Sequence, residues 1–331
     1  MNRFPILSVL FVCCLWSPLR AQVPGAGGAA ARPALDQLVT DYEAQEKAID
    51  DEIEPQLKAA RDRYSADLQA FANKYNQARR PDEADKFKHE IKRFEERGMN
   101  GEPAKSAPAE VRSAWANLLK STATTSQSVA LKRNTARSKF LQSLTPVEQD
   151  FRAKNDAEGA ASARRARAAV SIRAAVEAGR VAVTDLAGKG EGWQDIAREG
   201  GYIVGFEAGK GGWFQFSVLG GLRPIFATAH GERPGERRGK ASGKRVVAKD
   251  GYAVGGLQVR SGDVVNCVEI IFMRINPDGI SLNPQDTYVT DWLGGEGGGK
   301  PREINPRGRM IVGVTGSTGD VVNSLGLVYL R

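Results

Sequence analysis

The pentapeptide Gly-Asp-Val-Val-Asn occurs twice, at Gly262–Asn266 and Gly319–Asn323, and each copy runs into a β-rich segment. The first continues Cys-Val-Glu-Ile-Ile-Phe and the second Ser-Leu-Gly-Leu-Val-Tyr. A Val-Gly pair precedes each copy, Val254-Gly255 and Val312-Gly313, and a third stands upstream at Val204-Gly205. The segment Gly201–Gly205 is close kin to Gly251–Gly255. The last third of the chain therefore reads as one β-unit used three times. Repetition of this kind constrains a fold more than any single residue does.

Each unit has the same order of parts. A Gly-rich loop comes first, at Gly188–Gly192, Gly231–Gly243 and Gly294–Gly299. The Val-Gly strand follows, then a turn, then an alternating apolar strand at Leu222–Phe226, Val268–Phe272 or Leu325–Tyr329. Asn266 lies eleven residues after Gly255 and Asn323 ten after Gly313, which implies one inserted residue. The first unit is degenerate: aligning Leu222 with Leu325 puts Gly220 where the others carry Asn. Short strands hide their edges when three sheets close on one another, so a three-sided β-prism is expected ahead of a propeller. Residues 193–331 have room for about ten to twelve strands.

The other half of the chain has a different grammar. Leu35, Leu38, Tyr42, Ile49, Ile53 and Leu57, then Tyr64, Leu68, Phe71 and Tyr75, recur at helical steps. Arg80-Pro81-Asp82 breaks this pattern, and Ala84, Phe87, Ile91 and Phe94 resume it. After a Gly/Pro/Ser breaker at Gly98–Pro108, helix is expected from about Glu110 to Lys154 and from Ala157 to Ala178. The two arms read as weak duplicates 76 residues apart, with Tyr64, Leu68, Phe71, Tyr75 and Ala84 answering to Phe140, Leu144, Val147, Phe151 and Ala160. Residues 35–180 are thus helical hairpins or a coiled coil, suited to packing and to homo-oligomerisation. Residues 181–192 read as a hinge and 22–34 as a Gly/Ala/Pro linker.

Residues 1–21 have the features of a cleavable signal peptide. Arg3 gives a positive start, Phe4–Trp16 is apolar but too short to span a bilayer, and Ala21 is a small residue for cleavage. Cys13 and Cys14 lie inside that apolar run, so a mature chain keeps Cys267 alone and has no disulfide. Export to the periplasm or the outside follows, with no membrane span after removal of the signal. The formal charge of +8 falls to +6 without Arg3 and Arg20, and most of that lies in the helical half, since residues 181–331 hold 18 basic and 16 acidic residues. Export and a diffuse basic excess argue against a nucleic-acid partner.

The stretch from Gly251 to Arg331 resembles the jacalin-related lectins. The resemblance is carried by Arg260–Asn266 as a strand–turn–strand, by the Gly-Gly-x-Gly-Gly pattern in Gly294–Gly299, and by Ile311–Leu330 as a closing hairpin. It implies a pseudo-threefold β-prism in residues 193–331, a carbohydrate ligand and neither cofactor nor metal. In that family a Gly-x-x-x-Asp turn faces a Gly-rich loop, and the carboxylate accepts hydrogen bonds from the sugar. Carried over, Gly319, Asp320, Val321 and Asn323 line one pocket, Gly262, Asp263, Val264 and Asn266 a second, and Gly294 and Gly295 belong to the facing loop. The chain departs from the pattern where it matters, because Asn stands in place of the sugar-binding Asp in both copies. Asn keeps an acceptor but loses the charge, and it also closes tight turns through its own side chain. A prism that serves only as a protein-contact scaffold is the alternative.

No catalytic constellation stands out. His89 lies on a polar helix face and His230 beside a polar loop without Ser, Cys or a second His arranged with it. Asp286 and Asp291 flank Tyr288 and read as polar positions of a strand rather than an acid/base pair. Trp193, Trp213 and Trp292 read as core aromatics.

Overall fold

In the computed structural model, residues 31–97, 102–190, 192–197 and 199–331 are described. Residues 1–30, with the expected signal peptide and most of the expected linker, lie outside them. Four helices come first: α1 (Ala31–Gln77), α2 (Pro81–Arg97), α3 (Ala109–Ala153) and α4 (Ala157–Glu177). Helix α1 already includes Ala31–Ala34, the end of the stretch read as linker. Fifteen strands follow: β1 (Val181–Val183), β2 (Ala187–Gly188), β3 (Trp193–Ile196), β4 (Tyr202–Trp213), β5 (Phe216–Thr228), β6 (Gly231–Pro234), β7 (Arg238–Gly239) and β8 (Lys244–Val247). Then come β9 (Tyr252–Ser261), β10 (Val265–Ile275), β11 (Leu282–Val289), β12 (Leu293–Gly294), β13 (Arg302–Ile304), β14 (Ile311–Thr318) and β15 (Val322–Leu330). The chain divides into two compact units, residues 36–143 and residues 144–331 with the start of α1.

The first unit packs the apolar stripes of α1, α2 and α3. Tyr64, Leu68, Phe87, Phe94, Val111, Trp115 and Leu118 form its buried cluster. Tyr64 sets its ring edge-on to Phe94 and Trp115 at 4.7 and 5.6 Å, and its hydroxyl donates to Glu90 at 2.8 Å. Farther along, the rings of Tyr42 and Phe140 meet at 4.9 Å, tilted by 38°.

The duplication of the helical arms is visible in the two turns that end α1 and α3. Arg79 and Asn155, 76 residues apart, both adopt φ 55°. The N–H of Arg80 donates to Tyr75 O and that of Asp156 to Phe151 O, each at 2.9 Å. These six-residue closures satisfy the last helical carbonyls, and they need one left-handed residue just past the helix. Asp156 then caps α4 through a hydrogen bond from the Gly159 N–H at 2.8 Å.

In the second unit the strands form three five-stranded antiparallel sheets. The orders are β1-β15-β14-β3 with β2 on β15, β6-β5-β4-β8 with β7 on β5, and β11-β10-β9-β13 with β12 on β10. Each is the same Greek key around one long hairpin: β4–β5, β9–β10 or β14–β15. Residues 193–331 hold thirteen of these strands, β3 to β15, one more than the expected range, because β7 and β12 are two-residue strands too short to leave a periodic signal. Residues 181–192, read as a hinge, instead supply β1 and β2, which pair with the last strand: Val181 opposes Leu330 and Ala187 opposes Leu325. One sheet is thus closed by both ends of the β-region.

Strand register sharpens the repeat. A bulge falls at Val204, Gly255 and Val312 in the three hairpins, so Gly205, Gly256 and Gly313 are the equivalent positions. A Cβ at any of them would lie 2.2 to 3.0 Å from a carbonyl oxygen of the outer strand, of Val246, Ile304 and Asp195 respectively. The equivalent of Gly313 is therefore Gly256, not Gly255. Each stands ten residues before its Asn, and the inserted residue expected from the sequence disappears.

The three sheets enclose a core that includes Phe206, Leu222, Phe226, Val254, Leu257, Phe272, Val314 and Leu327. At one end of this prism α4 lies across the sheets. Ala168, Ile172 and Ala175 pack against Tyr202, Val204, Ile225, Ala253, Met273, Val312 and Val328. Gly200, at φ 88°, lets the chain pass there, since a Cβ would sit 2.0 Å from Ala169 O. That end is closed by a helix. The hairpin turns lie at the other.

Candidate functional site at the turn end of the prism

The two Gly-Asp-Val-Val-Asn copies fold alike. The N–H of Gly262 donates to Val264 O at 3.0 Å and that of Gly319 to Val321 O at 3.1 Å, closing each turn. The next residues form a second set of bulges: the register slips at Asn266, at Asn323 and, in the degenerate unit, at Gly220. The alignment of Leu222 with Leu325 is thereby matched in space. Two residues before each bulge, Val218, Val264 and Val321 meet as a small apolar plug, with Trp213 packed against it.

Around the plug stand the Gly-rich loops. Gly188, Gly239 and Gly294 all have positive φ (90°, 79° and 107°), and a Cβ on each would approach the bulge carbonyl of Asn323, Gly220 or Asn266 within 2.1 to 2.9 Å. Glycine is required at these three positions by both backbone shape and space. The bulge carbonyls accept from the loops: Lys189 N–H to Asn323 O at 3.2 Å, Ala241 N–H to Gly220 O at 3.1 Å and Gly295 N–H to Asn266 O at 2.8 Å. The loop beside Asn323 is clamped further, since the buried Ser324 hydroxyl donates to Gly190 O at 2.5 Å and the Ser317 hydroxyl to Lys189 O at 2.9 Å.

Each loop also leans on the neighbouring unit. Lys189 Nζ lies 2.5 Å from Asp263 Oδ1, and Lys240 Nζ lies 2.7 Å from Asp320 Oδ1. Lys210 Nζ and Glu296 Oε1, 3.4 Å apart, make the third link with the charges reversed. The hydrogen bond from Lys189 to Asp263 raises the pKa of the lysine. These pairs are exposed, so they orient loops more than they stabilise the fold.

The ten residues expected at a site are thus all at this end, but they do not form one pocket. Gly294 and Gly295 face Asn266, and a Cβ on Gly298 would lie 2.9 Å from Asn266 Oδ1. The loop facing Asn323 is Gly188–Gly190 instead. Among the described residues neither the Asn266 nor the Asn323 side-chain amide has a hydrogen-bond partner, so neither folds back to close its own turn. A shallow cleft of about 290 Å³ opens between Gly211, Gly212, Gly220, Lys240 and Ala241 of one unit and Asp320 and Val321 of the next. Sequence reasoning found Asp320 and Val321 and missed the other five. For three of the five the signal was present, because Lys240 and Ala241 fall in Gly231–Gly243, which belongs to the repeat, and Gly220 is the counterpart of Asn323.

One unit carries an elaboration. Where the other hairpins turn at Val264 and Val321, β5 runs on past Val218 to Phe216, opposite Trp213. The two-residue tip places Phe214 at φ 50°. That conformation suits glycine, and a side chain there costs about 1–3 kcal/mol.

The carboxylates weighed for catalysis are structurally engaged. Tyr252 donates to Asp286 at 2.6 Å and Arg274 pairs with it, and together they hold its carboxyl below the usual range. Asp291 is exposed, two residues past the end of β11. Trp193 and Trp292 lie under the guanidinium groups of Arg238 and Arg260, 4.7 and 4.6 Å from the ring centroids. Among the described residues no three His, Cys, Asp or Glu side chains cluster as metal ligands, and no helix is long and apolar enough to cross a membrane.

Three Greek-key sheets about a pseudo-threefold axis define a β-prism, and the strand pairing alone establishes this. Several of the solved structures that the chain is similar to are lectins. A mannose-specific jacalin-related lectin from Morus nigra, in complex with mannose, is 19% identical over 46% of this chain and 96% of its own, with a TM-score of 0.34. The artocarpin–mannotriose complex is 16% identical over 46% and 98%, at 0.35. Malaysian banana lectin is 14% identical over 46% and 99%, at 0.34. No family model and no curated protein matches the chain.

Proposed function

We propose that this chain is an exported, non-catalytic carbohydrate-binding protein whose ligand sits at the turn end of the prism. The observation that carries the reading is the cleft between Lys240, Ala241, Gly220 and the Asp320–Val321 turn, at the end left open by α4. Glycine lining lets a sugar hydroxyl reach backbone groups, and Asp320 supplies a charged acceptor beside them. The free amide of Asn323, in the same turn as Asp320, adds one acceptor and one donor group, on the pattern by which a neutral polyol is held. The carboxyl of Asp286, kept ionised by Tyr252 and Arg274, is not poised as a general acid, which supports a binding role over hydrolysis. The helices would serve as a spacer or would oligomerise the chain, and several weak sites would then act together.

A second reading has its own support. Asp263 and Asp320 are each matched by a lysine, as in a scaffold whose loops only brace one another. A glycan array probed with the full chain and with Asp320→Ala and Asn323→Ala separates the two. The carbohydrate reading expects binding that both substitutions weaken. No binding, or binding indifferent to both, favours the scaffold.

A further inference from the structure

We infer that the tip Trp213–Phe216 is the aromatic wall of an extended subsite, and that the ligand is a neutral oligosaccharide or polysaccharide rather than a single sugar. The inference rests on the carbohydrate reading above and deepens it. Phe214 is 86% and Phe216 52% exposed, the two most exposed phenylalanines among the described residues. Folding does not account for Phe214: its ring is exposed and set edge-on to Trp213 at 4.9 Å, and its backbone holds the φ of 50° that glycine would hold without strain. Strain of this kind points to function when the group that suffers it is presented outward.

The tip is also in the right place. Gly211 and Gly212 line the cleft and lead directly into Trp213, which is anchored on the Val218–Val264–Val321 plug. Each strand residue advances about 3.3 Å, so the tip stands roughly one sugar ring beyond the cleft. A cleft of about 290 Å³ is at the small end of ligand sites and accommodates one hexose. The next units of a chain would leave it along the hairpin, where phenyl faces meet the C–H faces of sugar rings while the hydroxyls stay in water. Charge selects a neutral chain. The lysines of this end, Lys189, Lys210 and Lys240, already face Asp263, Glu296 and Asp320.

The test is titration of the full chain with mannose and mannotriose, and with glucose and maltotriose, for the wild type, Phe214→Gly and the double variant Phe214→Ser/Phe216→Ser. Wild type should bind one trisaccharide more tightly than its monosaccharide. Both variants should lose that preference, with trisaccharide affinity falling about tenfold or more and monosaccharide affinity unchanged. Phe214→Gly should in addition raise the thermal midpoint, which a structural aromatic would not do. Equal affinity for both lengths, or variants that keep the preference, would overturn the subsite and leave the cleft standing. Failure of every sugar would overturn the subsite together with the carbohydrate reading. Wild-type binding to phosphatidylcholine vesicles that Phe214→Gly abolishes, with sugar binding intact, would overturn it in favour of a membrane anchor.

Discussion

Lys240 of one prism unit reaches across to Asp320 in the turn of the next, 2.7 Å from nitrogen to oxygen, and both side chains are largely exposed. Both residues line the cleft. The pair occupies the one carboxylate there, so it sets the availability of that group to a ligand.

Asp320→Ala is expected to abolish sugar binding and Lys240→Ala to retain or strengthen it, because removing the lysine frees the acceptor. The thermal midpoint should hardly move in either case, since an exposed pair contributes little. Calorimetric titration and a melting curve for each variant read the two effects apart.

Arg79 and Asn155 hold equivalent left-handed positions at φ 55°. Arg79→Gly should stabilise the protein by about 0.5–1 kcal/mol, as the Cβ penalty is removed. Asn155→Gly should give less, because Asn tolerates this conformation. Denaturant unfolding of both variants ranks them.

Ile172 is fully buried where α4 closes the prism. Ile172→Ala should cost about 2–5 kcal/mol. Glycan binding at the far end should survive at temperatures where the variant remains folded. A loss of binding in step with the loss of stability would show that the two ends are not independent.

Asp286 titrates below its ordinary value because Tyr252 and Arg274 favour its charged form. Its contribution is complete above the ordinary carboxylate range and is lost as pH falls through the depressed folded value. The melting temperature of Asp286→Asn should therefore drop less steeply on the acid side than that of the wild type.

Much of this was legible in the residues themselves. Val-Gly pairs, Gly-rich loops and two pentapeptides placed the three hairpins, and the Leu222–Leu325 alignment located the Gly220 bulge in a unit with no Asn. Local patterns of this sort carry their own geometry. The closure of one sheet by Val181 on Leu330 was not legible, because it joins segments about 150 residues apart through strands of two and three residues. For the same reason the loop facing Asn323 was misread: Gly188–Gly190 and Gly294–Gly295 are alike in sequence, and only the pairing says which turn each one faces.

The most direct test of the central claim is amide chemical-shift mapping of an isotope-labelled chain titrated with mannose and mannotriose and with glucose and maltotriose. The account predicts perturbations confined to Gly211–Gly212, Gly220, Lys240–Ala241 and Gly319–Asn323 for one of the monosaccharides, extending to Trp213–Phe216 for its trisaccharide. Perturbations centred on the α4 end, or none with any of the four sugars, would contradict it.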